Sequence, residues 1–154
     1  MPDTYVHVGV MVDDIEAAIE DLAPIGFTFM RPRTVHVDRI VEDGQDSEID
    51  LTVAFSLQGA PQLELLEVVG DGIYGPQHRG GLHHVAILDA DPEARAKELV
   101  EQGFRVTAAQ YRTDGSAIVV YLESERLHGL RVELLDSPVN EAIADWIEGR
   151  EATP

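Results

Sequence analysis

Tyr5-Val6-His7-Val8-Gly9-Val10 is repeated, with similar residues, as Leu82-His83-His84-Val85-Ala86-Ile87, 77 residues further along the chain. The same shift aligns Asp14 with Asp91, Ala17 with Ala94, Leu22 with Leu99, and Gly26-Phe27 with Gly103-Phe104. An ungapped match of this length predicts two copies of one supersecondary unit that stack and bury a common core.

The two copies also end alike, with Gln62-Leu63-Glu64-Leu65-Leu66-Glu67 in the first and Arg131-Val132-Glu133-Leu134-Leu135-Asp136 in the second. Here the shift is 69 residues, because the first copy has a longer connection, predicted as a loop around Pro32–Ser47. The connection is polar and turn-rich, and length differences between repeats usually fall in loops.

Local periodicity predicts the order β-α-β-β-β in each copy. The elements of the first copy are a strand over 4–11, a helix capped by Asp13-Asp14, a strand from Phe27, and the hairpin strands Ile49–Leu57 and Gln62–Val69. Those of the second copy are the strand Leu82–Leu88, the helix Pro92–Gln102, and the strands Phe104–Tyr111, Ala117–Glu123 and Gly129–Leu135. A short C-terminal helix opens at Ser137-Pro138 and is expected to pack on the body through Ile143, Trp146 and Ile147. The predicted class is α+β, with modules over 1–70 and 82–136, a linker over 71–81, and the helix and tail over 137–154.

Composition narrows the class of protein. The 154 residues carry 29 acidic and 11 basic side chains, and this net charge of −18 disfavours nucleic acid or an anionic membrane as a partner. There is no cysteine, so disulfides, thiolate metal sites and cysteine nucleophiles are excluded. No apolar run reaches the roughly 18–20 residues of a membrane span, and the N-terminus lacks the features of a signal peptide. We therefore expect a cytoplasmic protein with neither membrane nor nucleic-acid partners.

The repeated histidines and glutamates form a candidate metal site. Strand alternation puts His7 on the face opposite its valine neighbours, so each module offers one histidine on its first strand and one glutamate on its last. These are His7 and Glu64 in the first module and His84 and Glu133 in the second. If the modules pair about a pseudo-two-fold axis, the four side chains converge and suit one divalent ion such as Zn, Co, Ni, Mn or Fe(II). Such an ion can polarise a substrate carbonyl, and a glutamate that dissociates from the ion can transfer a proton.

The remaining polar residues are weaker candidates. Glu67 and Asp136 point away from the face that carries Glu64 and Glu133. His83 is expected on the opposite face from its neighbour, in a structural role. Three further histidines fall in or near predicted loops without a repeated partner: His36, His78 and His128.

The repeat carries a resemblance to a known family. The matching text is YVHVGVMVDDIEAAIEDLAPIGF (5–27), PQLELLEVV (61–69), GLHHVAILDADPEARAKELVEQGF (81–104) and LRVELLD (130–136). It resembles the vicinal oxygen chelate superfamily of glyoxalase I, methylmalonyl-CoA epimerase, extradiol dioxygenases and bleomycin-resistance proteins, and looks most like the epimerase and glyoxalase I-like branch. The resemblance implies an incompletely closed eight-stranded mixed barrel, a homodimer, and one metal ion held by the four repeated residues.

The resemblance also implies a reaction: proton transfer next to a metal-bound carbonyl, by an isomerase, epimerase or lyase acting on a small carbonyl or thioester substrate. Glu133 is the expected base and Glu64 its symmetric partner. The epimerase uses a further carboxylate from the preceding strand, for which Glu48 and Asp50 are candidates unless Thr52 occupies the position. Arginines that could bind anionic substrate groups are Arg31, Arg33, Arg39, Arg79, Arg112 and Arg126. The alternatives are an Fe(II) dioxygenase, which usually uses two histidines and one carboxylate, and a small-molecule binding protein with or without metal.

Overall fold

The computed structural model describes residues 5–150. Its elements are β1 (Tyr5–Val12), α1 (Ile15–Leu22), β2 (Arg33–Glu42), β3 (Gln45–Phe55), β4 (Gln62–Glu67), β5 (Gly81–Leu88), α2 (Pro92–Glu101), β6 (Arg105–Tyr111), β7 (Ala117–Glu123), β8 (Val132–Leu135) and α3 (Ser137–Ile147). The predicted β-α-β-β-β order of each half and the C-terminal helix are confirmed. Among residues 5–150, no helix is both long and apolar enough to cross a membrane.

The two modules begin their helices in the same way. The carboxylate of Asp14 accepts a hydrogen bond from the backbone N–H of Ala17 (3.0 Å), and that of Asp91 accepts one from Ala94 (2.9 Å). Each bond satisfies one of the free N–H groups that a helix has at its start. The sequence repeat is therefore also a repeat of local structure.

The eight strands form one closed ring in the order β1-β4-β3-β2-β6-β7-β8-β5, with β5 bonded back to β1. The first and last strands of each module run parallel, β1 with β4 and β5 with β8. The modules join through two antiparallel pairs, β1 with β5 and β2 with β6. The eight-stranded mixed barrel is confirmed, and its hydrogen-bonded ring is complete where an incomplete one was expected.

Apolar side chains fill the barrel and the space under the helices. Met11 and Phe55, each 1% exposed, belong to the interior cluster. Outside the barrel, α1 packs Ile15 against Ala54 and Leu65. The helix α3 packs on the interior cluster through Ile143, Trp146 and Ile147, as predicted.

The connection predicted as a loop around Pro32–Ser47 is largely strand. It forms β2 and the start of β3, joined by a tight turn at Asp43-Gly44, where both residues have positive φ. The register of β2 against β3 shifts between Val37 and Ile40, so the apolar alternation that would have indicated a strand is interrupted. The strand predicted from Phe27 contributes one isolated bridge, between Phe29 and Ser56.

Candidate metal centre

Strand β1 lies between β4 and β5, and this position brings the repeated residues together. Gly9 on β1 pairs with Glu64 on β4 and with His84 on β5. His7 lies two residues earlier and therefore faces the same side of the sheet. Glu133 on β8 pairs with Ala86 on β5 and completes the group from the second module.

The four predicted side chains meet in one buried cluster. The Nε2 atoms of His7 and His84 lie 3.1 Å apart. Glu64 Oε2 lies 3.3 Å from His7 Nε2 and 3.2 Å from His84 Nε2. Glu133 approaches the same two nitrogen atoms, at 3.3 Å through Oε1 and 3.6 Å through Oε2. None of these side chains is more than 9% exposed.

Gly9 makes room for this convergence. A Cβ atom at this position would lie 2.2 Å from Cε1 and 2.5 Å from Nδ1 of His84, far inside van der Waals contact. The His84 imidazole therefore occupies the space that any other residue would fill at position 9. The absence of a side chain here sets how closely the modules bring their histidines together.

The charges of the cluster balance one another. Burial lowers the pKa of His7, but the attraction of the two close carboxylates, that of Glu64 first and then that of Glu133, outweighs it and raises that pKa to about 10. Burial raises the pKa of Glu64, and the attraction of His7 reverses this and lowers it to about 2. Burial raises the pKa of Glu133, but the attraction of the nearby His84 and His7 outweighs this effect and lowers that pKa below its ordinary value. In the chain alone, positive charge on imidazole thus compensates the buried carboxylates.

The donor set fits a divalent metal ion. Glu64 Oε2 is the one buried side-chain oxygen or nitrogen between residues 5 and 150 without a hydrogen-bond partner. Ligand atoms of His7, Glu64 and His84 all lie within 4.8 Å of one another. Imidazole nitrogen and carboxylate oxygen are ligands that Zn, Mn, Fe and their neighbours accept, and a cation at this point would satisfy the unpaired oxygen. His7, Glu64 and His84 form the most compact set of possible ligands, and Glu133 lies beside them.

His83 lies inside the barrel, which corrects the expectation that it faces away. The register of β1 against β5 shifts, so that Gly9 pairs with His84 and Val10 with Leu82. His83 is thus an extra residue in the strand, and both histidines turn inward with exposures of 2% and 0%. Simple alternation does not predict such a bulge.

The proton positions of the two adjacent histidines follow from their partners. Burial, reinforced by His84, lowers the pKa of His83 to about 3, so this ring is neutral and has one N–H. Its Nε2 lies 2.8 Å from the carbonyl oxygen of Ile73, which only accepts, so the hydrogen is on Nε2. His83 Nδ1 then accepts from Nδ1–H of His84 at 2.9 Å. His84 Nε2 can therefore present its lone pair to the cluster.

A buried hydroxyl pair beside the cluster was not predicted from the sequence. Tyr74 and Tyr121 share a hydrogen bond of 2.7 Å, and Gln110 Nε2 donates to the Tyr74 oxygen at 2.6 Å. Burial, followed by the nearby Glu133 carboxylate, raises the pKa of both hydroxyls, so both stay protonated. Tyr74 lies in the predicted linker and has no counterpart in the repeat, which is why periodicity did not find it.

The cluster lies at one side of a cavity of about 310 Å³. His7, Glu64 and Glu133 line it together with Tyr74, Gln110 and Tyr121. Much of the remaining wall is apolar and includes Val53, Leu66, Ile118, Leu135, Ile143 and Trp146. The last two belong to α3, so the C-terminal helix forms part of the cavity wall.

The structure does not bring Glu48 and Asp50 to the cluster. Their side chains are 77% and 69% exposed, and Asp50 accepts a hydrogen bond from the exposed His36 at 2.7 Å. The inward face of β3 is taken by Leu51 and its alternate neighbours, so Asp50 turns outward. Thr52 also faces out, where its hydroxyl pairs with that of Thr34 at 2.9 Å.

The other candidates lie away from the ligand group as well. Glu67 accepts from the N–H of Ile15, and Asp136 caps α3 through Val139, so both point away as predicted. His78 is half-buried and His128 is exposed. Among the six candidate arginines only Arg112 lines the cavity.

Comparison with known proteins agrees with this architecture. The profile of the Glyoxalase/Bleomycin resistance protein/Dioxygenase superfamily matches residues 6–121. A search of curated proteins found no match.

Solved structures share the fold. Methylmalonyl-CoA epimerase from Mycobacterium tuberculosis is 22% identical, with a TM-score of 0.59 over 90% of this chain and 91% of that chain. A variant of the Streptomyces coelicolor epimerase, in complex with 2-nitronate-propionyl-CoA, is 24% identical, with a TM-score of 0.59 over 87% and 96%. A hypothetical protein from Bacillus halodurans C-125 is 20% identical, with a TM-score of 0.63 over 89% and 96%. Because the family profile spans most of the chain, the chain belongs to the Glyoxalase/Bleomycin resistance protein/Dioxygenase superfamily, the vicinal oxygen chelate superfamily.

Proposed function

We propose that this protein is a divalent-metal-dependent isomerase, epimerase or lyase that moves a proton on a carbon next to a carbonyl or thioester group. The observation that supports this most is the buried cluster of two imidazoles and two carboxylates beside an apolar cavity. His7, Glu64, His84 and Glu133 would hold the ion, which is Zn, Co, Ni, Mn or Fe. Family membership and the fold shared with epimerases support the same class of reaction.

When bound, the metal ion would act as a Lewis acid and make the C–H next to a carbonyl more acidic. Glu133 would take that proton. It contacts both histidines but stands beside the compact group of His7, Glu64 and His84, so it can turn to a substrate while the other three stay in place. When Glu133 moves away from the two histidines, it would lose the attraction that lowers its pKa. Its carboxylate would then become a stronger base.

Glu64 and Tyr121 would assist from the other sides of the cavity. Glu64 occupies the repeat-related position and would be the second proton-transfer group in epimerisation. In a step after the one carried out by Glu133, it would leave the ion, take up a proton from solvent and give that proton to the opposite face of the carbon. Gln110 donates to the Tyr74 oxygen, and if the Tyr74 O–H in turn donates to Tyr121, the Tyr121 O–H would be available to donate to a substrate oxygen.

Metal content is the first test. Protein purified without an affinity tag should contain about one divalent ion per chain, and the His84→Ala variant should lose it because one of two imidazole ligands is gone. Elemental analysis of both proteins measures this. Wild-type protein that contains no metal and takes none up on titration would overturn the proposed site.

Proton transfer can be followed by NMR as exchange of substrate hydrogen for deuterium in D2O, over a panel of carbonyl and thioester compounds with an acidic C–H. Glu133→Gln should slow exchange by roughly 10²–10⁴-fold, the usual contribution of a general base. The exposed carboxylates of β3 provide matched controls: Glu48→Gln and Asp50→Asn should exchange at the wild-type rate. Equal rates for Glu133→Gln and wild type would contradict the assignment of the base.

An Fe(II) dioxygenase is a second candidate, because the most compact ligand group consists of two histidines and one carboxylate. Oxygen uptake by Fe(II)-loaded protein with catechols would favour this reaction. Deuterium exchange without oxygen uptake would favour proton transfer.

A further inference from the structure

We infer, on the basis of the proposed function, that the substrate of this site is an uncharged carbonyl compound with a small apolar body, and not one whose body carries a carboxylate or phosphate. The inference comes from the wall of the cavity and from the state of its single arginine.

The polar and apolar parts of the cavity wall are separated. The metal-ligand cluster, Tyr121 and Gln110 supply the polar groups, whereas Val53, Leu66, Ile118 and Leu135 supply much of the rest. A carbonyl end can therefore meet the cluster while the remainder of the molecule contacts hydrocarbon. At about 310 Å³ the cavity is near the lower limit of small-molecule sites, which favours a body of aryl or short acyl size.

The cavity offers no free cation to an anionic body. Arg112 is the one arginine or lysine among the described residues that line it, and its Nη1 lies 2.6 Å from Asp136 Oδ2. That carboxylate is 9% exposed and stays in place because it also caps α3 through the N–H of Val139. Asp38 adds a negative charge to the wall, and His36 is already paired with Asp50. An anion would have to give up its water without gaining a partner.

Trp146 provides the reporter for a test, since it is the only tryptophan of the chain and lines the cavity. The probes are benzohydroxamate, which carries two adjacent oxygens on an aromatic body, and 4-carboxybenzohydroxamate, which adds one carboxylate. Quenching of Trp146 fluorescence gives the dissociation constant of each probe, in metal-free and in zinc-loaded protein. We expect benzohydroxamate to bind at least about tenfold more tightly in both states, a difference of about 1.4 kcal/mol.

The two states separate this inference from the proposed function. Tighter binding of both probes in the presence of zinc supports the metal site. A preference for benzohydroxamate without any effect of zinc would leave the inference standing and refute the metal site. Equal affinities, a preference for the carboxylated probe, or no quenching by either probe would overturn the inference.

A single substitution should weaken the selectivity. Asp136→Asn keeps a side-chain oxygen to cap α3 but removes the charge that pairs with Arg112, so the carboxylated probe should gain about tenfold relative to benzohydroxamate. Asp145→Asn is the control, because it removes a carboxylate of α3 that pairs with Arg150 and does not line the cavity, so it should leave the preference unchanged. An unchanged preference in Asp136→Asn would overturn the part assigned to this ion pair.

Discussion

Gly9→Ala tests the geometry of the cluster without touching a ligand. The added Cβ would lie 2.2 Å from His84 Cε1, although real Cβ contacts essentially never fall below 3.0 Å. Relief of this overlap requires the His84 ring or strand β1 to move by roughly 0.8 Å or more, several times the tolerance of about 0.2 Å for a metal–ligand distance. Overpacking of this kind typically costs about 1–3 kcal/mol. We therefore expect metal affinity to fall at least about tenfold, with a lower Tm.

The matched control for this substitution is Gly81→Ala on the neighbouring strand. A Cβ at Gly81 would meet nothing within 4 Å, and its φ is not positive. Competition with a chromophoric chelator measures metal affinity, and circular dichroism measures Tm. Gly81→Ala should match wild type in both. Wild-type metal affinity and Tm in Gly9→Ala would refute the conclusion that the His84 imidazole needs the space above Gly9.

Four further predictions concern the cluster and the elements around it. His83→Phe keeps the packing but removes the acceptor for Nδ1–H of His84, so metal affinity should fall by roughly 10–100-fold while the far-ultraviolet spectrum is retained; unchanged affinity would contradict a role for His83 in orienting His84. In the presence of a chelator, the stabilisation by His7 should be complete below pH 6.5 and lost as pH rises towards about 10, because its pKa is raised in the folded state. The difference in Tm between wild type and His7→Gln, measured as a function of pH, tests the His7 prediction, and a difference that grows from pH 6.5 to 9 would contradict that prediction. Glu64 should act in the opposite sense: its contribution to stability is present above pH 4.5 and is lost as pH falls towards about 2. Asp14→Ala should lower the free energy of unfolding by about 1 kcal/mol through loss of the α1 cap while metal affinity stays at the wild-type value, and denaturant titration checks this.

The sequence predicted the elements whose signals are local. The cap of α1 by Asp14, the strands that carry His7 and His84, and the packing of α3 follow from spacing within a few residues, and the repeat reinforced the assignment of the two histidine strands by showing it twice. Strand β2 was missed because a register shift after Val37 interrupts the alternation on which such predictions depend. The same limitation misplaced His83, whose bulge exists only in the pairing of β5 with β1.

Polar groups of the cavity without a repeated counterpart were also missed. Tyr74 reaches Tyr121 and Gln110 from the connection between the modules, and no periodic pattern marks it. Conversely, Glu48 and Asp50 had the right chemistry on a strand near the site but face solvent, since the inward positions of β3 carry apolar residues.

The sequence by itself determined the two modules, most of their local elements, and which histidines and glutamates occupy equivalent places. Repetition and periodicity depend only on the order of residues along the chain, so they can be recognised without the structure. Only the tertiary structure decided that β1 lies between β4 and β5, that Gly9 leaves room for the His84 ring, and that Asp136 neutralises Arg112. These features depend on contacts between residues distant in sequence, whose register is set by the packing of the whole barrel.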